Sequence, residues 1–210
     1  MLIVFEGPGA VGKSTIIKEL FKRLKLKGLN VRVEDEDNAV HDLILQFQEK
    51  NVLRCKLPPL TESFLWLTNY FYRIESQMHC KPNEIVLVDR YLFSPIIYQY
   101  IYLKEQGNQV NLKEVVDYVT KPFGIKLPKP DLYLILNTSL PIIKQRLEER
   151  EKRPMNDIEY KVSEQLIETY PKLQEFFDNF HIIDSSGTTK QTCEKIEEIL
   201  DKQLFSKKGC

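Results

Sequence analysis

The chain has 210 residues, which suits one α/β domain with a sizeable core and leaves no room for a second full domain. Lys+Arg and Asp+Glu balance at 30 each, so no global field draws the protein to nucleic acid or an anionic membrane, and a small molecule is the expected partner. No apolar run reaches membrane-span length, the N-terminus lacks a signal peptide's basic flank and cleavage site, and Cys55, Cys80, Cys193 and Cys210 form no CxxC pair; together these imply a cytoplasmic protein with free thiols.

The first predicted strand, Leu2 to Phe5, runs through Glu6 into Gly7, Pro8, Gly9, Ala10, Val11, Gly12, Lys13, Ser14 and Thr15, which fits GxxxxGK[ST]. An amphipathic helix follows from Ser14 to Leu26, so the motif stands between strand and helix, the context a phosphate-binding P-loop requires. Gly7 and Gly12 let the backbone approach a polyphosphate, and the helix N-terminus adds partial positive charge. Lys13 is expected on the β and γ phosphates of ATP and the Ser14 hydroxyl on Mg2+. A plain glycine-rich turn with a capping serine is the alternative.

Further strands are predicted at Val31 to Glu34, Ile85 to Val88, Leu132 to Asn137 and His181 to Ile183. Helices are predicted at Val40 to Glu49, Leu60 to His79, Pro95 to Glu105, Leu112 to Lys121, Leu140 to Glu151, Asp157 to Phe177 and Lys190 to Leu204. Five strands alternating with helices imply an α/β fold: a five-stranded parallel sheet covered on both faces, three layers deep. In such sheets ligands bind beyond the carboxyl ends of the strands. The strongest candidates there, after the P-loop, are Asp89 and Arg90.

Ile85 to Asp89 is a buried strand ending in a carboxylate suited to helping hold Mg2+. Residues 89 to 99 read DRYLFSPIIYQ and resemble the DRYxxSxxxYQ segment of thymidylate kinases, as Phe5 to Thr15 resembles the family's FEGxxxxGKST and Pro130-Asp131-Leu132 its PDL. The resemblance spans nearly the whole chain. It implies a P-loop nucleoside monophosphate kinase, a single domain over residues 1–210, that passes the γ-phosphoryl group of ATP to dTMP and forms a homodimer. It also implies that Arg90 grips the acceptor phosphate, with Ser94, Tyr98 and Gln99 beside it. A structural ion pair between Arg90 and Asp89 is the alternative role. The basic run Arg146, Arg150, Lys152, Arg153 before Asp157 to Glu159 resembles the family's lid, about residues 146–159. Since Pro8 to Val11 carry no cation, Arg150 and Arg153 are the candidates to stabilise transition-state charge, alongside Lys13 and Arg90; a solvated helix with a Glu149–Arg153 pair competes with that reading.

Tyr70, Gly9 and the stretch Glu34 to Asp37, which stands in place of the family's arginine-glutamate-proline wording, depart from the family pattern. Trp66 falls where a ring stacks on the base, but Tyr70 occupies the place of the base-reading arginine; Arg73, on the same helix face, could supply a guanidinium. Trp66 and Tyr70 could equally be core aromatics. Gly9 replaces an aspartate that binds the sugar 3'-hydroxyl, leaving Glu34, Asp35, Glu36 or Asp37 as substitutes. The alternatives to monophosphate phosphorylation are a deoxynucleoside kinase, which needs a carboxylate base such as Glu34 or Asp35, and a nucleotide-binding protein without catalysis.

Overall fold

The computed structural model describes residues 1–34, 38–49, 59–76, 78–121 and 127–206, so Asp35, Glu36, Asp37, Cys55 and Cys210 lie outside the described residues. Strands β1 (Leu2–Glu6), β2 (Val31–Val33), β3 (Ile85–Asp89), β4 (Leu132–Asn137) and β5 (Phe180–Asp184) form one parallel sheet in the order β2-β3-β1-β4-β5. β1 is central, with β3 on one side and β4 on the other. Chain order reverses direction across it, so the loop after β1 opens at the point where a parallel sheet leaves a crevice.

Alternate residues of each strand feed two separate cores. Ile3, Phe5, Leu87, Leu134 and Leu136 pack with Ile16, Ile17 and Leu20 of α1 (Lys13–Leu26) and Cys193, Ile196 and Leu200 of α8 (Thr189–Ser206). Val4, Val86, Val88, Tyr133 and Ile135 face the other way, onto α3 (Pro59–Ser76), α4 (Phe93–Glu105), α5 (Leu112–Thr120) and α7 (Asp157–Thr169). This period of two, apolar on both sides, is why the strands read as nearly continuous hydrophobic runs. The remaining helices are α2 (Ala39–Glu49) and α6 (Leu140–Glu151).

The predicted elements all appear, with shifted ends. β2 stops at Val33, although the Glu34 N–H still donates to Leu87 O at 2.8 Å, and β3 extends to Asp89. The helix predicted over 157–177 is two elements: α7 ends at Thr169 and a 3-10 helix covers Tyr170–Glu175. Pro171 explains the break, because it has no N–H to give the Ile167 carbonyl. That carbonyl instead accepts from Asn137 Nδ2 at 3.4 Å, which fastens the end of α7 to the carboxyl edge of β4. The α7 start is closed by a reciprocal capping box between Asn156 and Glu159. Cys80 and Cys193 carry free thiols, and no helix among the described residues is long and apolar enough to cross a membrane.

Candidate active site

The P-loop leaves β1 at Gly7, whose φ is +138° and where an added Cβ would lie 2.2 Å from the Leu136 carbonyl oxygen of β4. Only a glycine lets the turn pass this close to the neighbouring strand. At Gly9 the same test meets nothing within 4 Å, so the bare position there is not a packing requirement. Gly12, left-handed at φ 101°, precedes α1, whose first turn has neither a capping side chain nor an acidic residue. Its N-terminal amides and dipole therefore suit a ligand anion. The Lys13 ammonium folds back over the loop, donating to Gly7 O at 3.1 Å and Pro8 O at 3.0 Å.

A cleft of about 660 Å³ opens along this loop, lined by Gly9 to Ile16, Asp89, Arg90, Arg146, Glu149, Arg150, Ser185, Gly187, Thr189 and Thr192. The Ser14 hydroxyl donates to Asp89 Oδ2 at 2.9 Å, while Asp89 Oδ1 is buried with no hydrogen-bond partner. A hydroxyl and an unsatisfied carboxylate oxygen meeting beside the phosphate loop are hard oxygen donors of the kind Mg2+ takes, so these residues fit that ion.

Arg90 follows β3 in a left-handed conformation, φ 64°, and is not paired with Asp89. Its Nη1 donates to Ser94 Oγ at 2.8 Å and lies 3.5 Å from both Gly7 O and the Tyr170 hydroxyl. Under it sits Glu6, fully buried: Oε1 accepts from the N–H groups of Tyr91 (2.7 Å) and Ser94 (3.2 Å), and Oε2 from the hydroxyls of Ser94 (2.8 Å) and Tyr170 (3.2 Å). Burial pushes the Glu6 carboxyl above its ordinary range, against the pull of Arg90, the Tyr91 N–H, the Ser94 hydroxyl and Lys13. For Arg90, burial works against the charge, yet Tyr170, Tyr98, Tyr70 and Glu6 together hold the guanidinium well above its usual value. It is a permanent cation at the lip of the cleft.

Arg73 and Glu34 are brought together, but with each other. Arg73 Nε and Nη2 donate to the two Glu34 oxygens at 2.8 and 2.5 Å, both side chains have no exposed area, and Nη2 also reaches Asp89 O at 2.8 Å. This corrects the expectations that Arg73 offers its fork to a base and Glu34 its carboxylate to a sugar. The pair instead braces the ends of β2 and β3 from α3. Tyr70 is buried 5.4 Å from the Arg73 guanidinium carbon, which makes it the core aromatic of the two readings. Trp66 is half-buried with its ring 5.7 Å from His41. Tyr98 is exposed and Gln99 half-buried on α4.

The basic run divides by position. Arg150 lines the cleft while its Nε donates to Glu151 at 2.8 Å. Arg153 lies outside the cleft lining and makes a two-pronged pair with Glu159 at 2.8 and 2.6 Å; Glu149 accepts from Gln145, so the Glu149–Arg153 pair does not form. Arg146, named in the sequence only as part of the basic run, turns out to have a role of its own. From α6 it donates to Val11 O at 3.1 Å and Ser185 O at 2.9 Å, clamping the P-loop to the loop after β5. Its spacing of four from Arg150 was the available signal, since it puts both on one helix face. Tyr170 gave no comparable signal, standing among Glu168, Thr169, Pro171 and Lys172, and Glu6 showed only as the glutamate of the FEGxxxxGKST segment.

Comparison with known proteins agrees with this geometry. The thymidylate kinase family model matches residues 5–196. The thymidylate kinase of Caldicellulosiruptor saccharolyticus is 28% identical over 208 residues, covering 96% of each chain, and that of Thermosipho africanus is 28% identical over 211 residues, covering 98% of this chain and 100% of the relative. Among solved structures, the thymidylate kinase of Candida albicans superimposes with a TM-score of 0.68 at 22% identity, covering 97% of this chain and 92% of that one, and the deoxyadenosine kinase of M. mycoides with 0.63 at 19%, covering 96% and 100%. Those two likenesses speak for the fold, whereas the match of the family model across most of the sequence speaks for descent: the chain belongs to the thymidylate kinase family of nucleoside monophosphate kinases.

Proposed function

We propose that the protein transfers the γ-phosphoryl group of ATP to the phosphate of dTMP, giving dTDP and ADP. The observation that carries this reading is the position of Arg90. Its Nη1 is taken up by protein oxygens beside Gly7, and its Nε–Nη2 edge has no hydrogen-bond partner among the described residues. A planar cationic fork next to the P-loop suits a second phosphate, bound side by side with the triphosphate.

Joining two anions makes charge neutralisation and alignment the main tasks, and the acceptor, already ionised, needs no strong base. Lys13 and the α1 N-terminus hold the donor phosphates, and Arg90 holds the acceptor. Arg150 is placed to add lid charge over the P-loop; Arg153 contributes once its pair with Glu159 opens. Ser14 and Asp89 would hold Mg2+, which when bound neutralises charge on the donor phosphates. Trp66, Tyr98 and Gln99 remain the candidate contacts to the acceptor's base and sugar, and Ser94 acts on it through Arg90. A homodimer is the assembly proposed with this activity.

A nucleoside kinase would require a carboxylate after β2 that takes a proton from a 5'-hydroxyl. Glu34 has both oxygens committed to Arg73, which speaks against that role. Supplying ATP with thymidine, dTMP, dUMP, dCMP and dGMP in separate assays of ADP release tests the proposal. We expect turnover with dTMP foremost among the monophosphates; release with thymidine alone would contradict it, and release with none would favour a protein that binds nucleotide without catalysis.

A further inference from the structure

The hydroxyls around Arg90 have a defined hydrogen-bond direction, and Glu6 sets it. Two of the four donors to Glu6 are backbone N–H groups, which can only donate, and both arrive at Oε1. Oε2 is left to accept the protons of the Ser94 and Tyr170 hydroxyls, at 2.8 and 3.2 Å; the two hydroxyls also lie 3.2 Å from each other, a neutral contact that the charged carboxylate outcompetes as acceptor. With those protons committed, both hydroxyl oxygens can only present lone pairs to Arg90 Nη1, at 2.8 and 3.5 Å. Gly7 O supplies a third acceptor at 3.5 Å. One end of the guanidinium is thus pinned in a pocket of acceptors, and the Nε–Nη2 edge has no hydrogen-bond partner among the described residues.

We propose that Glu6, acting through Ser94 and Tyr170, is the positioning residue that fixes the rotation of Arg90 and so aims its fork at the acceptor phosphate. The proposal rests on the reading of Arg90 as the acceptor-binding cation. Tyr170 is fully buried and directly continues α7, its N–H bonded to Leu166 O, while the Ile167 carbonyl is tied to Asn137. The cradle is therefore anchored to the carboxyl edge of β4 as well as to β1. Glu6 itself touches no substrate in this scheme.

Glu6→Gln is the informative variant, because an amide of the same shape donates protons where the carboxylate accepts them and reverses the polarity of the hydroxyls. The expected result is a rise of about tenfold or more in KM for the monophosphate, with KM for ATP within about twofold. In an Arg90→Ala background the same substitution should change the monophosphate KM by less than about twofold, since its target is gone. Tyr170→Phe, which removes one hydroxyl without changing the ring, should give a smaller rise in the same direction and serves if Glu6→Gln fails to fold. Equal increases in both KM values, or a full loss repeated in the Arg90→Ala background, would overturn the proposal by showing that Glu6 acts on the P-loop or on the fold. The Arg90 Nη1–H2 resonances separate this from the choice of substrate: without any nucleotide they should be resolved in the unmodified protein, because the held end of the guanidinium cannot rotate freely, and broadened in Tyr170→Phe. An unchanged resonance sinks the proposal even if dTMP is turned over, and a changed one supports it even if dTMP is not the acceptor.

Discussion

Glu34 and Arg73 show how burial decides what a charged residue can do. Read as separate residues, one looks like a sugar or proton acceptor and the other like a base reader. Folded, they form a two-pronged pair with no exposed area, and the guanidinium also supports the Asp89 carbonyl next to Arg90. Removing one partner of such a pair strands a charge in the interior, so Glu34→Ala should lower the unfolding free energy by about 3–5 kcal/mol, measured by urea denaturation. A loss below about 1 kcal/mol, with activity abolished instead, would return Glu34 to the active site. Gly9 makes the complementary point. A Cβ would fit there without contact, so the departure from the resembling family at this position is not imposed by packing.

At the scale of elements, the strands and most helices were legible because the physics that builds them is local: apolar runs in the sheet and 3.6-residue spacing in α1 and α8. The P-loop and Asp89 were legible for the same reason, each being a short segment whose position after a strand defines its chemistry. What was hidden depends on contacts far apart in the chain. Pro171 was visible, but that Asn137 would satisfy the carbonyl it abandons was not. Glu6, Ser94 and Tyr170 are separated by as many as 164 positions, and nothing in their spacing announces one network. The start of α7 offers a test at this scale. Arg153 and the Asn156 N–H hold the Glu159 carboxyl down to about 2, from an ordinary value of 4.5. A folded-state value below the unfolded one means the capping contact stabilises α7 fully above pH 4.5 and is lost as pH falls toward 2. Amide exchange in the first turn of α7, corrected for intrinsic rates, should therefore quicken over that window in the unmodified protein and show no such dependence in Glu159→Gln. Because Arg153 is exposed and Glu159 half-buried, the change should be confined to the start of α7.

The whole molecule sets two phosphate-binding elements on adjacent strands of one sheet. β1 runs into the loop proposed for the donor and β3 into Arg90, proposed for the acceptor, and their register places Phe5 beside Asp89, so the two loops leave the sheet side by side. Helices from the opposite core supply the Arg73–Glu34 brace and the Tyr170 anchor, while α6 brings Arg146 and Arg150 over the P-loop. The central claim is that this arrangement joins a nucleoside triphosphate to a nucleotide's phosphate, not to a nucleoside's hydroxyl. Phosphorus NMR of one mixture containing ATP, dTMP and thymidine in equal amounts tests it directly. The account predicts that the dTMP phosphorus signal gives way to the paired α and β resonances of a nucleoside diphosphate while the proton signals of thymidine, followed in the same tube, keep their intensity; growth of the dTMP signal as the thymidine proton signals decline would contradict it.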